Sequence, residues 1–223
     1  SCLRTARDIV RGGESGAVLV VGVEVSSAQY NVVDQDISQL VANALFSDGA
    51  GAAIVAPRGR WRYPRAGMTL IPGTERLLRW NPDFDRDNTT YKMYLDGGVA
   101  NALAGWFRGP RGSALLQAWT EADSRRPALA VHPGGPNILE GISSVLTERG
   151  WPEGSLNSSF STLRNFGNLG AAAVLFVLHD LLGTTTEEEV AMFAFGPGVT
   201  VEEHPAATGG AVPAAGGAGA GGR

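Results

Sequence analysis

A single cysteine among 223 residues excludes an internal disulfide framework, and three histidines at no metal-type spacing exclude a structural zinc site. A reducing, cytoplasmic setting and no metal or cofactor are therefore expected. Positive charge is also scarce. With 18 Lys and Arg against 22 Asp and Glu, a formal charge of -4, the chain has no basic excess for nucleic acid. No apolar run reaches bilayer length; the longest, near Ala171 to Leu178, suits a buried helix. No signal or transit peptide is visible, and the chain starts at Ser1, without methionine and already in a helical pattern. What is present is 43% hydrophobic and 18% charged, enough to build a substantial core in a soluble enzyme or binding module.

Leu3, Ala6 and Val10 repeat at helical spacing up to Gly12-Gly13, and Ala17 to Glu24 is a near-continuous apolar strand. A strand apolar on both faces predicts a covered sheet. Ile37, Leu40, Val41 and Ala44 mark a second helix, and a Ser-Asp-Gly turn leads to a buried strand ending at Pro57. Residues 58–92 read as an irregular or β-ribbon connection, basic at Arg58, Arg60, Arg62 and Arg65 and acidic at Asp83, Asp85 and Asp87. The basic end is read as a solvated charged face. The acidic end is not a calcium loop, because Asn88 replaces the turn glycine and Tyr94 the bidentate glutamate.

Alternation then resumes: a helix with Leu115, Leu116 and Trp119, a strand at 127–131, helices at 136–148 and 168–182, a strand from Val190 to Phe195 and a short strand after Gly198. Two such blocks predict a layered α/β fold. The Ala/Gly/Pro-rich residues 203–223 are expected to be disordered. His132 stands out, at the end of a strand and before a Pro-Gly-Gly-Pro turn that opens a helix, where α/β folds bind ligands.

Four stretches occur in order: "ALFSDGAGAAIV", "VHPGGPNILE", "LRNFGNLGAAAVLFVL" and "AFGPGVTVE". Together they resemble the type III polyketide synthases, the chalcone and stilbene synthase family of the thiolase superfamily. The nearest rival is the ketoacyl-acyl-carrier-protein synthase of the third type, whose histidine motif runs into Gln-Ala-Asn rather than Pro-Gly-Gly-Pro. The resemblance implies an α-β-α-β-α thiolase-like fold, with residues 1–57 ending the first half, 58–112 forming an irregular or β-ribbon connection that contributes to the cavity and 113–202 forming the core of the second half. It implies an acyltransferase that extends a cysteine-bound starter with malonyl-CoA, and a homodimer using acyl-CoA and malonyl-CoA.

Residue by residue, it makes His132 and Asn168 the catalytic histidine and asparagine, two donors for the enolate formed by decarboxylation. Asn168 also reads locally as the N-cap of its helix. Phe46 becomes the gate between CoA tunnel and cavity. Gln29, Val99, Asn101, Gly170 and Pro197 fall at cavity positions, and Gly134 and Asn137 where the family meets the pantetheine arm. Ala194 replaces a glycine at the start of the Phe-Gly-Pro-Gly turn. In the family the nucleophilic cysteine precedes an Ala-Gly-Gly run several positions ahead of a Leu-Arg-x-Ala-x-Asp helix. Cys2 stands directly before Leu3-Arg4-Thr5-Ala6-Arg7-Asp8, so the nucleophile is expected upstream of Ser1, and the chain is expected to be an inactive carboxyl portion. The alternative is a non-catalytic module that pairs with synthase subunits.

Overall fold

The computed structural model describes residues 2–30, 36–59, 61–62, 66–85, 88–121, 126–185 and 189–208. Arg60, Arg65, Asp87 and the tail from residue 209 lie outside them. At the centre, β7 (Ala128–Val131) runs parallel to β8 (Glu189–Gly196), which pairs antiparallel with β9 (Thr200–Thr208). Short strands β3 (Trp61–Arg62) and β4 (Gly67–Leu70) add to β9, and β5 (Leu78–Asp85) and β6 (Asn88–Leu95) form a separate hairpin. The ribbon expected in 58–92 is thus divided between the main sheet and the hairpin.

Both faces of this sheet are apolar, and both are covered. Leu129, Val131, Ala191 and Phe193 face a cluster built from α3 (Gly98–Arg108), α4 (Pro110–Glu121), α5 (Pro136–Glu148) and α6 (Asn157–Phe166). Leu139, Ile142, Val145 and Leu146 supply the buried stripe of α5, Pro136 opens it, and Gly150, at φ 71°, lies just past its end. Phe193 stacks edge-on with Phe107 at 5.1 Å and Trp119 at 6.2 Å, contacts worth about 0.5–1.5 kcal/mol each beyond burial. On the other face, Ala130, Val190 and Met192 meet Val174 and Val177 of α7 (Ala173–Thr184) and Leu3 of α1 (Cys2–Gly12).

Beyond α7 lies the antiparallel pair β1 (Val18–Glu24) and β2 (Gly49–Val55), so the order of layers is α-β-α-β. Gly22 and Gly51 allow the close approach, since a Cβ on them would stand 3.1 Å from Ala171 O and 3.2 Å from Leu175 Cβ. The covered sheet predicted for β1 holds on this side only. Leu19, Val21 and Val23 on the other face are 63%, 54% and 59% exposed, because no element among the described residues lies over them.

Three further expectations are corrected. Helix α3 occupies part of the presumed irregular connection, because Val99, Leu103 and Phe107 repeat every four residues and bury one stripe. The helix expected over 168–182 is a 3₁₀ turn at Gly170–Ala172 followed by α7. Residues 203–208, assigned to the tail, continue β9 and pair with β8 as far as Ala207 opposite Glu189. Pro205 is tolerated there because it falls between the β4 and β3 pairings, where β9 has, among the described residues, a neighbour on one side only.

Candidate active site

His132 is held by its backbone. Its N–H donates to Phe193 O at 2.8 Å, extending the β7–β8 ladder by one step, and its carbonyl accepts Gly134 N–H at 2.9 Å. One residue earlier, Val131 N–H donates at 3.2 Å to the fully buried Ser159 Oγ of α6. The imidazole lies edge-on to Phe195, ring centres 6.2 Å apart. Burial lowers its pKa to about 4, so it is neutral near pH 7 and carries one N–H donor.

Asn168 is fixed from both sides of Phe46: its N–H donates to Leu45 O at 2.8 Å and its carbonyl accepts Ser47 N–H at 3.1 Å. Its Nδ2 donates to Gly134 O at 3.3 Å and its Oδ1 accepts Gly170 N–H at 3.0 Å. The carboxamide therefore ties the Pro-Gly-Gly-Pro turn to the 3₁₀ turn. The expected N-cap of a long helix is replaced by this local turn contact, because α7 begins only at Ala173. One hydrogen of the NH₂ group remains beyond the bond to Gly134.

His132 and Asn168 open onto one cavity of about 820 Å³, which Phe46, Gln29, Val99, Gly134, Gly170 and Pro197 also line. Phe46, Gln29 and Met93 line a second cavity of about 500 Å³ as well, so Phe46 borders both. In that second space Ser27 donates from its hydroxyl and backbone N–H to Asp48, holding its carboxyl below the ordinary range. Asn101 does not join the cavity. It is exposed, two residues from Val99 and so about 200° around α3, on the side away from the cavity position expected of it. Asn137 is exposed in the first turn of α5, also outside the lining. Cys2, the first residue of α1, is exposed and reaches the cavity edge.

Glu24 was missed in the sequence, where it reads only as the polar end of an apolar strand. Its Oε2 accepts Ala171 N–H at 3.3 Å, and a Cβ on Gly170 would overlap its carboxylate. Gly170, at φ 48°, therefore serves both the turn and the space for Glu24. The signal was Gly170 itself, a residue without a side chain at a position the resemblance assigns to the cavity.

The layers and the paired histidine and asparagine define a thiolase-like architecture. Residues 115–205 match the family described as chalcone and stilbene synthases, C-terminal domain, and residues 1–70 match 3-oxoacyl-[acyl-carrier-protein] synthase III. The chain is homologous to the type III polyketide synthases. It is 30% identical over 207 residues to 1,3,6,8-tetrahydroxynaphthalene synthase of Streptomyces coelicolor, 91% of this chain and 53% of that protein. The crystal structure of that synthase superposes with a TM-score of 0.81 at 29% identity, covering 94% of this chain and 59% of the other. Germicidin synthase, also from Streptomyces coelicolor, gives 0.78 at 29% identity, covering 92% and 54%. At 23% identity, a TM-score of 0.73 to PKS-I of the brown alga Ectocarpus siliculosus, over 93% of this chain and 56% of that one, speaks for the fold alone. The chain spans about half the length of the relatives it matches.

Proposed function

We propose that this chain carries the decarboxylation half of the active site of a type III polyketide synthase, an acyltransferase acting on acyl-CoA and malonyl-CoA in a cytoplasmic homodimer. The observation that carries this reading is the neutral His132 imidazole and the Asn168 carboxamide opening onto one cavity, with Phe46 bracketed by the backbone bonds of Leu45 and Ser47 to Asn168. A cysteine thiolate from the segment before α1 attacks the starter thioester and releases CoA. Cys2, the first residue of α1 and on the cavity edge, supports that reading.

When malonyl-CoA enters, the bond to its carboxylate breaks, CO₂ departs and the electron pair moves to the thioester oxygen as an enolate. His132 N–H and the remaining Asn168 N–H are donors of the right kind for that oxygen, and neither must give up its proton. Loss of one such donor costs about a hundred- to a thousandfold in rate. Phe46 presents an apolar face that disfavours the charged malonyl carboxylate and so favours its loss. The enolate carbon then attacks the enzyme thioester and frees the cysteine. The match of residues 1–70 to the ketoacyl synthase of the third type keeps a second reading, but the histidine and asparagine lie in the segment that matches the chalcone and stilbene family.

The test is the longest reading frame that contains these residues, expressed whole and given acyl-CoA starters with malonyl-CoA. Release of CoA with polyketide pyrones is expected. Transfer to acyl-carrier protein without pyrones would replace this reading by the second.

A further inference from the structure

The turn that opens α7 is held by two side chains, Asn168 and Glu24. Gly170 N–H donates to Asn168 Oδ1 at 3.0 Å, and the next N–H, of Ala171, donates to Glu24 Oε2 at 3.3 Å. The first N–H groups of a helical turn have no partner within it, so each must be met from outside. Ala172 and Ala173 already bond back to Leu169 O and Gly170 O, which leaves the N–H groups of Gly170 and Ala171. Half-buried Glu24 comes from the end of β1, 147 residues before Ala171, and lines the cavity with His132, Asn168 and Gly170.

The β1–β2 pair fixes both the turn and the carboxylate. Glu24 lies opposite Gly49, two residues after Ser47, whose N–H holds Asn168 O. Gly22 of β1 comes so close to Ala171 that a Cβ on it would stand 3.1 Å from Ala171 O. A Cβ on Gly170 would overlap the Glu24 carboxylate, so the bare glycine is what lets Glu24 reach its donor. An asparagine at the start of a helical turn bonds the N–H two or three residues on. For Asn168 those are Gly170 and Ala171. With Glu24 on Ala171, only Gly170 is open to Oδ1, and Nδ2 at the other end of the carboxamide then reaches Gly134 O at 3.3 Å, two residues from His132. If Ala171 N–H were vacant, Oδ1 would have a second place to bond, and Nδ2 would swing with it because the carboxamide is planar.

We infer that Glu24 is a positioning residue for Asn168: by occupying Ala171 N–H it holds the carboxamide in the one orientation that presents its remaining N–H to the enolate. This rests on the reading given under Proposed function. Glu24 acts through the turn and not on the substrate, and no proton moves to or from it. Its removal therefore weakens decarboxylation only while Asn168 is there to be misaimed.

The experiment measures CO₂ release from malonyl-CoA by the whole protein and its Glu24→Ala, Glu24→Leu, Glu24→Gln and Asn168→Ala variants at matched folded concentration, together with the double variant Glu24→Ala, Asn168→Ala. Glu24→Ala, and Glu24→Leu, which keeps the bulk, should lower kcat roughly ten- to a hundredfold with KM little changed, the cost of a misplaced group. Glu24→Gln keeps an acceptor for Ala171 N–H and should recover most of that rate. In the double variant the loss of Glu24 should add nothing to the loss of Asn168, because a positioning residue acts only through the group it positions. Losses that multiply in the double variant, a wild-type rate in Glu24→Ala or Glu24→Leu, or an equal loss in Glu24→Gln would overturn the assignment. If the wild-type protein released no CO₂, or Asn168→Ala lost nothing, the underlying reading would fall, and this inference with it.

Discussion

Acidification from pH 7 to pH 5 protonates an ordinary histidine but leaves the buried His132 ring largely neutral. Its pKa is about 4 in the folded chain against 6.5 for the free group, and burial is the cause. The unfolded chain therefore binds a proton in this window while the folded chain resists it, so stability is retained above pH 6.5 and lost as the pH falls toward 4. At 1.36 kcal/mol for each pH unit, the full difference is roughly 3 kcal/mol, of which about 2 kcal/mol is lost by pH 5. His132→Gln cannot titrate, so its unfolding free energy, measured with urea, should fall about 2 kcal/mol less than wild type between pH 7 and pH 5. The proton NMR signal of the His132 ring, assigned by its absence in the variant, should have a midpoint near 4. A midpoint near 6.5, or equal acid losses in the two proteins, would refute the claim that the imidazole is neutral because it is buried.

Three other perturbations follow from the packing. Gly170→Ser places a Cβ against the Glu24 carboxylate at a positive φ and should cost about 1–3 kcal/mol in thermal unfolding. Leu139→Ala, in a fully buried position of α5, should cost about 2–5 kcal/mol in urea unfolding. Asn101→Ala, on the exposed side of α3, should change stability by less than about 0.5 kcal/mol and leave the product profile of the whole protein unaltered.

The apolar periodicities of β1, β7, β8 and α5 were legible because each buries a face whose spacing shows in the sequence. Helix α6 was not legible, since it buries the small polar Ser159 and Thr162 against its neighbours and has no continuous apolar stripe. The end of β9 was hidden for the opposite reason: Glu203, His204 and Pro205 look like a tail, and only pairing with β8 makes them strand. His132 and Asn168 could be named from their motifs, but their means of support could not. Ser159 beneath Val131, and the bonds that bracket Phe46, join segments far apart in the chain. Asn101 misled because alignment to a cavity position carries no helical phase, and α3 turns that residue outward.

The central claim is that His132 and Asn168 together stabilise the enolate of malonyl-CoA. The most direct measurement is the rate of labelled CO₂ release from malonyl-CoA by the whole protein, compared with its Asn168→Ala variant at matched folded concentration. A fall of about a hundred- to a thousandfold is expected in the variant, with acyl loading from the starter CoA largely kept. Release of CO₂ at the wild-type rate by a folded Asn168→Ala protein would contradict it.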